Sequence, residues 1–203
     1  MTTKLQVKGT HTMRLFSRTI FGRLALTATA LLLIAGGLFT STSPAMAAGS
    51  AGRANGDIPD SATYLRYAVP NYHIEYIEGW GRQSSGQTVT FSDKDSQEQV
   101  TLLATPHGSF DAYVRGQVAG LQHAGAKHIL GPKAVTLPGG HAWYLQYTIP
   151  SAPDQVTGKV VSLLTDRYYI SGAHQVAVLT LGSPVGDDNV DAFRRIAHSF
   201  GWR

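Results

Sequence analysis

The chain has 203 residues and no cysteine, with 17 basic against 13 acidic side chains and a formal net charge of +4. The absence of thiols excludes disulfide staples, cysteine nucleophiles, zinc ribbons, iron–sulfur ligation and a lipid-modified cysteine. The positive excess is local. Lys4, Lys8, Arg14, Arg18 and Arg23 all precede residue 48 and no acid occurs before Asp57, so residues 48–203 carry 12 basic and 13 acidic side chains. A balance that even argues against nucleic acid as a partner of the folded part.

The first 47 residues read as a leader. A positive segment is followed by the apolar run Leu24–Phe39, then Pro44 and the small residues Ala45-Met46-Ala47. This is the pattern of a secretory signal peptide, with cleavage expected near Ala47 and export as its consequence. The alternative is an uncleaved helix anchoring the domain to a membrane, but the run holds 16 residues with Gly36-Gly37 inside it, and a span needs about 20. Met13 can serve as the start as well as Met1. Residues 48–66 are small, polar and turn-rich and read as a flexible spacer, leaving 67–203 as a single domain.

Within that domain the alternation of Tyr72, Ile74 and Tyr76 predicts a strand over Asn71–Ile77, closed by Glu78-Gly79-Trp80-Gly81. Arg82–Gly86 reads as a loop. Strands follow over Gln87–Asp93, with Val89 and Phe91 inward, and over Glu98–Thr105. Ser109 is placed to cap a helix over Phe110–His123, whose Phe110, Val114, Val118 and Leu121 form one apolar stripe. Ala126–Pro132 reads as a connection into a meander of Ala134–Leu137, Ala142–Pro150, Lys159–Ile170 and His174–Leu181, with Gly182–Gly186 as a loop. A second helix starts at Asn189, with Val190, Phe193, Ile196, Ala197 and Phe200 as its core stripe, and Trp202 is expected to dock.

The fold class is therefore α+β, a central antiparallel sheet of about six to seven strands flanked by helices. Motifs that carry chemistry are missing. Gly158-Lys159 lacks the Ser or Thr of a phosphate loop, and neither G-x-S-x-G nor H-E-x-x-H occurs. No catalytic residue, metal ligand or cofactor is assigned. Asp166 and Arg167 are strand neighbours pointing to opposite faces, and a cross-strand ion pair is the simplest account of them. The residues best placed to face a ligand are His141, Trp143, Arg167, Tyr168 and Tyr169, all in the meander.

Four segments together resemble a known family. Tyr76-Ile77-Glu78-Gly79-Trp80 is similar to the Y-P-x-G-W turn of PsbP-like domains, with Ile77 where proline is commoner. Val89-Thr90-Phe91-Ser92-Asp93, Val100–Pro106 and Arg195-Ile196-Ala197-His198-Ser199-Phe200 fit the same pattern, and the likeness covers residues 64–203. The resemblance implies a sheet with helices on both sides and a protein that acts by binding and organising partners. The expectation is thus a secreted, monomeric, non-enzymatic binding or scaffolding domain with a protein partner. An extracytoplasmic carrier of a small molecule or metal is the alternative, and a hydrolase assembled only in the fold is a third.

Overall fold

A computed structural model describes residues 56–154 and 156–203; the expected leader and the first part of the spacer, residues 48–55, lie outside them. The described residues form ten strands and two helices. In chain order these are β1 (Tyr64–Ala68), β2 (Tyr72–Ile77), β3 (Gly81–Ser85), β4 (Thr88–Asp93), β5 (Ser96–Ala104), α1 (Phe110–His123), β6 (Lys127–Leu137), β7 (Gly140–Pro150), β8 (Ser162–Ser171), β9 (Gln175–Pro184), α2 (Val190–Ser199) and β10 (Gly201–Trp202). The class is α+β, but there are two antiparallel sheets rather than one. A seven-stranded sheet runs β3-β4-β5-β9-β8-β7-β6, and a three-stranded sheet runs β1-β2-β10.

Both faces of the large sheet are covered along its middle. On one face Phe91, Val100, Leu179, Ala177 and Ile170 meet the small sheet and α2 through Ile74, Phe193 and Ile196. On the other, Val176, Val178, Tyr169, Leu145 and Tyr147 meet α1 through Val114 and Leu121. Strand β9 serves both cores at once, and its residues 176–183 are all buried.

Local chemistry places the helices. The Ser109 hydroxyl accepts from the Ala112 amide at 3.2 Å, which fixes the start of α1. Gly125 ends it at a φ of 92°, a conformation glycine adopts without strain. Helix α2 lies beside β2, where the Glu75 amide donates to Ser199 Oγ at 2.7 Å and Arg195 Nε to Glu75 Oε2 at 2.9 Å. Gly139 closes this packing: a Cβ there would sit 2.8 Å from the Phe200 carbonyl oxygen.

Several boundaries differ from the sequence reading, each for a physical reason. The expected spacer ends early, because Tyr64–Ala68 pairs with β2 and Ile58 and Ala62 pack on the core. Arg82–Ser85 lies in strand β3, not a loop; every residue of β3 is exposed, so an edge strand without a buried face shows no apolar alternation. Lys127–Pro132 belongs to β6, where register shifts between Lys127, Leu130 and Lys133 break the period. Strand β8 begins only at Ser162, since its partner β7 ends opposite it at Pro150, and β9 continues to Pro184. Val190 is 56% exposed and leaves the core stripe of α2. Asn189 makes no side-chain cap; it accepts from the Ile58 amide at 2.7 Å and donates to the Gly56 carbonyl at 3.1 Å instead.

Phe91 is the point where the two sheets lock. It is fully buried, stacked on Tyr76 at 4.2 Å between ring centroids and met edge-on by Tyr67 at 5.4 Å. Phe91→Ala is expected to cost about 3–5 kcal/mol, read as a lowered urea midpoint. A loss under about 1 kcal/mol would mean that the two sheets are not held together there.

Candidate functional site

The cover given by α1 is incomplete. Its contacts reach the β6–β9 half of the sheet and β5 only at Leu103. Beyond Leu103 on this face, β4 and β5 present Thr88, Thr90, Gln97, Gln99 and Thr101, all half-buried. Register places Thr88 opposite Thr101 and Thr90 opposite Gln99, and Gln99 opposite Thr180 of β9. The pairs satisfy one another: Thr88 and Thr101 hydroxyls are 3.0 Å apart, and Gln99 Nε2 donates to Thr90 Oγ1 at 3.1 Å. Gln83 and Ser85 of β3 extend this strip to the edge of the sheet.

Arg167 stands where the strip meets the α1-covered core. It lies opposite Thr180 and its Nε donates to Thr180 Oγ1 at 3.1 Å. Its guanidinium sits over the Tyr147 ring, 5.5 Å from the centroid. Burial pushes the Tyr147 hydroxyl up to about 12 against the pull of Arg167, and burial likewise raises Tyr169 and Tyr113, with Arg167 opposing both. Arg167 is half-buried, and the ion pairs among the described residues do not include it. Two residues earlier on the same face, Thr165 is 1% exposed and its Oγ1 has no partner.

The five meander residues do not form one site. Asp166 and Tyr168 point to the opposite face from Arg167 and Tyr169. There Asp166 accepts from the Tyr144 hydroxyl at 2.6 Å and from Gln146 Nε2 at 3.0 Å. The expected ion pair of Asp166 or Arg167 is therefore replaced by neutral partners on each face. Tyr168 packs against Tyr144 at 5.0 Å, and burial raises it to about 12. Tyr169 is 1% exposed and belongs to the α1 core. Trp143 is held beneath α1 by its Nε1 donating to Asp111 Oδ1 at 2.9 Å, with Arg115 5.9 Å above the ring. His141 is exposed and meets Phe110 and Trp143 edge-on.

Three shallow clefts lie elsewhere: about 220 Å³ beside Ile58, Tyr64 and Arg195, about 200 Å³ beside Tyr67, Asn71 and Leu102, and about 270 Å³ beside His174, Gln175 and Trp202. None of the three is lined by His141, Trp143, Arg167, Tyr168 or Tyr169. No three His, Asp or Glu side chains among the described residues converge as metal ligands would. No helix among the described residues is long and apolar enough to cross a membrane.

The sequence missed the threonine–glutamine strip, Tyr147 as the floor under Arg167, and Glu98. The strip had a signal in the alternation Thr88-Val89-Thr90-Phe91-Ser92, where the polar positions share a face.

No family model and no curated protein matches the chain. The solved structure of cyanobacterial PsbP from Synechocystis sp. PCC 6803 superposes with a TM-score of 0.51, covering 79% of this chain and 100% of that one at 17% identity. The chain has the PsbP-like fold. LpqN of Mycobacterium tuberculosis, which is involved in cell envelope biogenesis, matches with a TM-score of 0.42 at 17% identity over 70% of this chain and 90% of its own. A Pseudomonas aeruginosa protein of unknown function, PA94, matches with a TM-score of 0.43 at 18% identity over 67% and 94%.

Within this PsbP-like core one carboxyl stands apart. Glu98 is fully buried between Phe91 and Leu181, and neither of its oxygens has a partner. Burial holds its proton well above the ordinary value of 4.5. The unfolded chain releases that proton near 4.5 while the folded chain keeps it, so stability falls as pH rises through the interval between the two values. Glu98→Gln carries no such proton, and its stability relative to the parent is expected to improve steadily from acidic to neutral pH. Urea midpoints measured across that range check this; a constant difference at every pH would show that Glu98 holds its proton no more tightly in the fold than in the unfolded chain.

Proposed function

We propose that this chain is an exported, non-enzymatic binding or scaffolding domain whose partner lies across the open face of β4 and β5, bounded by Arg167 of β8. The observation that carries the reading is the uneven cover of the large sheet. One helix hides half of a face, and the other half presents mutually satisfied polar side chains around a guanidinium without a counter-charge. This is a surface rather than an enclosed pocket, which favours an extended partner over a carried small molecule. The leader-like residues 1–47 support export.

Two experiments test the reading. N-terminal sequencing of protein collected outside the producing cell is expected to begin after Ala47; recovery only inside the cell, with residues 1–47 attached, would contradict export. Thr90→Glu and Thr101→Glu together place charge on the open strip at half-buried strand positions, each losing one hydroxyl hydrogen bond, with a combined stability change expected to stay within about 2 kcal/mol. Chemical cross-linking in the source's extracellular fraction is expected to capture a partner with the parent chain and to lose it with this variant. Equal capture by both, at matched thermal midpoints, would move the interface elsewhere.

A further inference from the structure

We infer that Arg167 is the anchor of a carboxylate-recognition site, and that the partner on the open face is an acidic polypeptide segment. The inference rests on the binding reading above and specifies its chemistry. Gln83, Thr90, Gln99 and Thr101 lead from β3 across β4 and β5 to the buried Thr180, and Arg167 is the charged group at the inner end of that polar strip.

A guanidinium has five N–H donors in a planar fork. Here Nε is spent on Thr180 Oγ1 and a further N–H on the Tyr169 hydroxyl, with the Tyr147 ring centroid 5.5 Å from the guanidinium carbon. These contacts fix the orientation of the fork without neutralising its charge. A half-buried cation that ends on neutral partners has lost part of its hydration and gained no counter-ion, which is costly unless an anion completes it. The opposite face shows what completion looks like inside the same strand: Asp166 is satisfied by Tyr144 and Gln146. Arg167 has no such acceptor of charge among the described residues.

The surroundings select for a chain rather than a free ion. Register joins Arg167 to a polar strip that runs from Thr180 through Gln99 and Thr90 to the edge strand β3. A carboxylate side chain can meet the fork with two parallel hydrogen bonds, while its backbone and flanking residues lie on the hydroxyl and amide groups of the strip.

The probe is a fluorescent peptide of alternating glutamate and serine, set against its glutamine–serine counterpart, with acetate and inorganic phosphate as free-anion arms. The glutamate peptide is expected to bind the mature chain in a salt-sensitive way and the glutamine peptide to bind roughly 10- to 100-fold more weakly, the span of one charge-assisted interaction. Arg167→Gln is expected to reproduce that loss. Arg167→Lys, which keeps the charge without the fork, is expected to recover only part of the affinity. Thr180→Val, which leaves Arg167 in place but unfixed, weakens binding less than Arg167→Gln; thermal midpoints of all three confirm the fold. Equal binding by parent and Arg167→Gln overturns the assignment, as does no binding of the glutamate peptide. Acetate or phosphate binding as tightly as the peptide makes the occupant a small free oxyanion and overturns the polypeptide claim. The cross-linking result of the preceding section is read separately: a partner lost on Thr90→Glu and Thr101→Glu but kept on Arg167→Gln leaves the binding reading standing and removes this one.

Discussion

Strand β9 has to be buried on both sides. Its residues 176–183 offer apolar or small side chains to each face in turn, with Ala177, Leu179 and Leu181 on one and Val176 and Val178 on the other. An antiparallel strand that faced water on one side would alternate apolar with polar residues; this one does not. The sheet therefore requires two covers, and the rest of the architecture supplies them. Helix α1 provides one. The other is composite, built from α2 and the three-stranded sheet, and needs Phe91, Tyr76 and Ile74 to join its parts.

Unequal covers then produce the open face. A helix of 14 residues is about 21 Å long and cannot shade seven strands spaced about 4.8 Å apart. The strands left out keep their backbone pairing but carry threonine and glutamine where the shaded strands carry valine and leucine. Threonine suits this role because its branched Cβ favours strand geometry while its hydroxyl stays content beside water or a neighbouring hydroxyl. Arg167 sits on the boundary between shaded and open regions, which is why it is held firmly yet remains in reach.

Local signals were legible where they were complete in themselves. The span of α1, its Ser109 cap, and the stripe of Phe193, Ile196 and Ala197 follow from spacing alone, as does the inward set of Val89 and Phe91. What escaped depends on partners far along the chain. Strand β3 has no buried side, so its residues carry no period; β1 is recognisable only because β2 pairs with it. Asn189 looked like a cap because capping is the local use of its side chain, but Gly56 and Ile58, more than 130 residues away, claim it. The candidate site was half legible for the same reason. Strand alternation separates Arg167 from Tyr168, but only register shows that Thr180, Tyr147 and Gln99 surround the arginine.

The small sheet has a further consequence. Strands β1 and β10 both run antiparallel to β2 and flank it, β1 entering beside Ile77 and β10 leaving beside Tyr72. The strands β1 and β10 therefore point the same way along one central strand, with the length of β2 between entry and exit. Displacing β1 towards its N-terminal end and β10 towards its C-terminal end moves them in opposite directions along β2, so their hydrogen bonds resist together in shear instead of opening one after another.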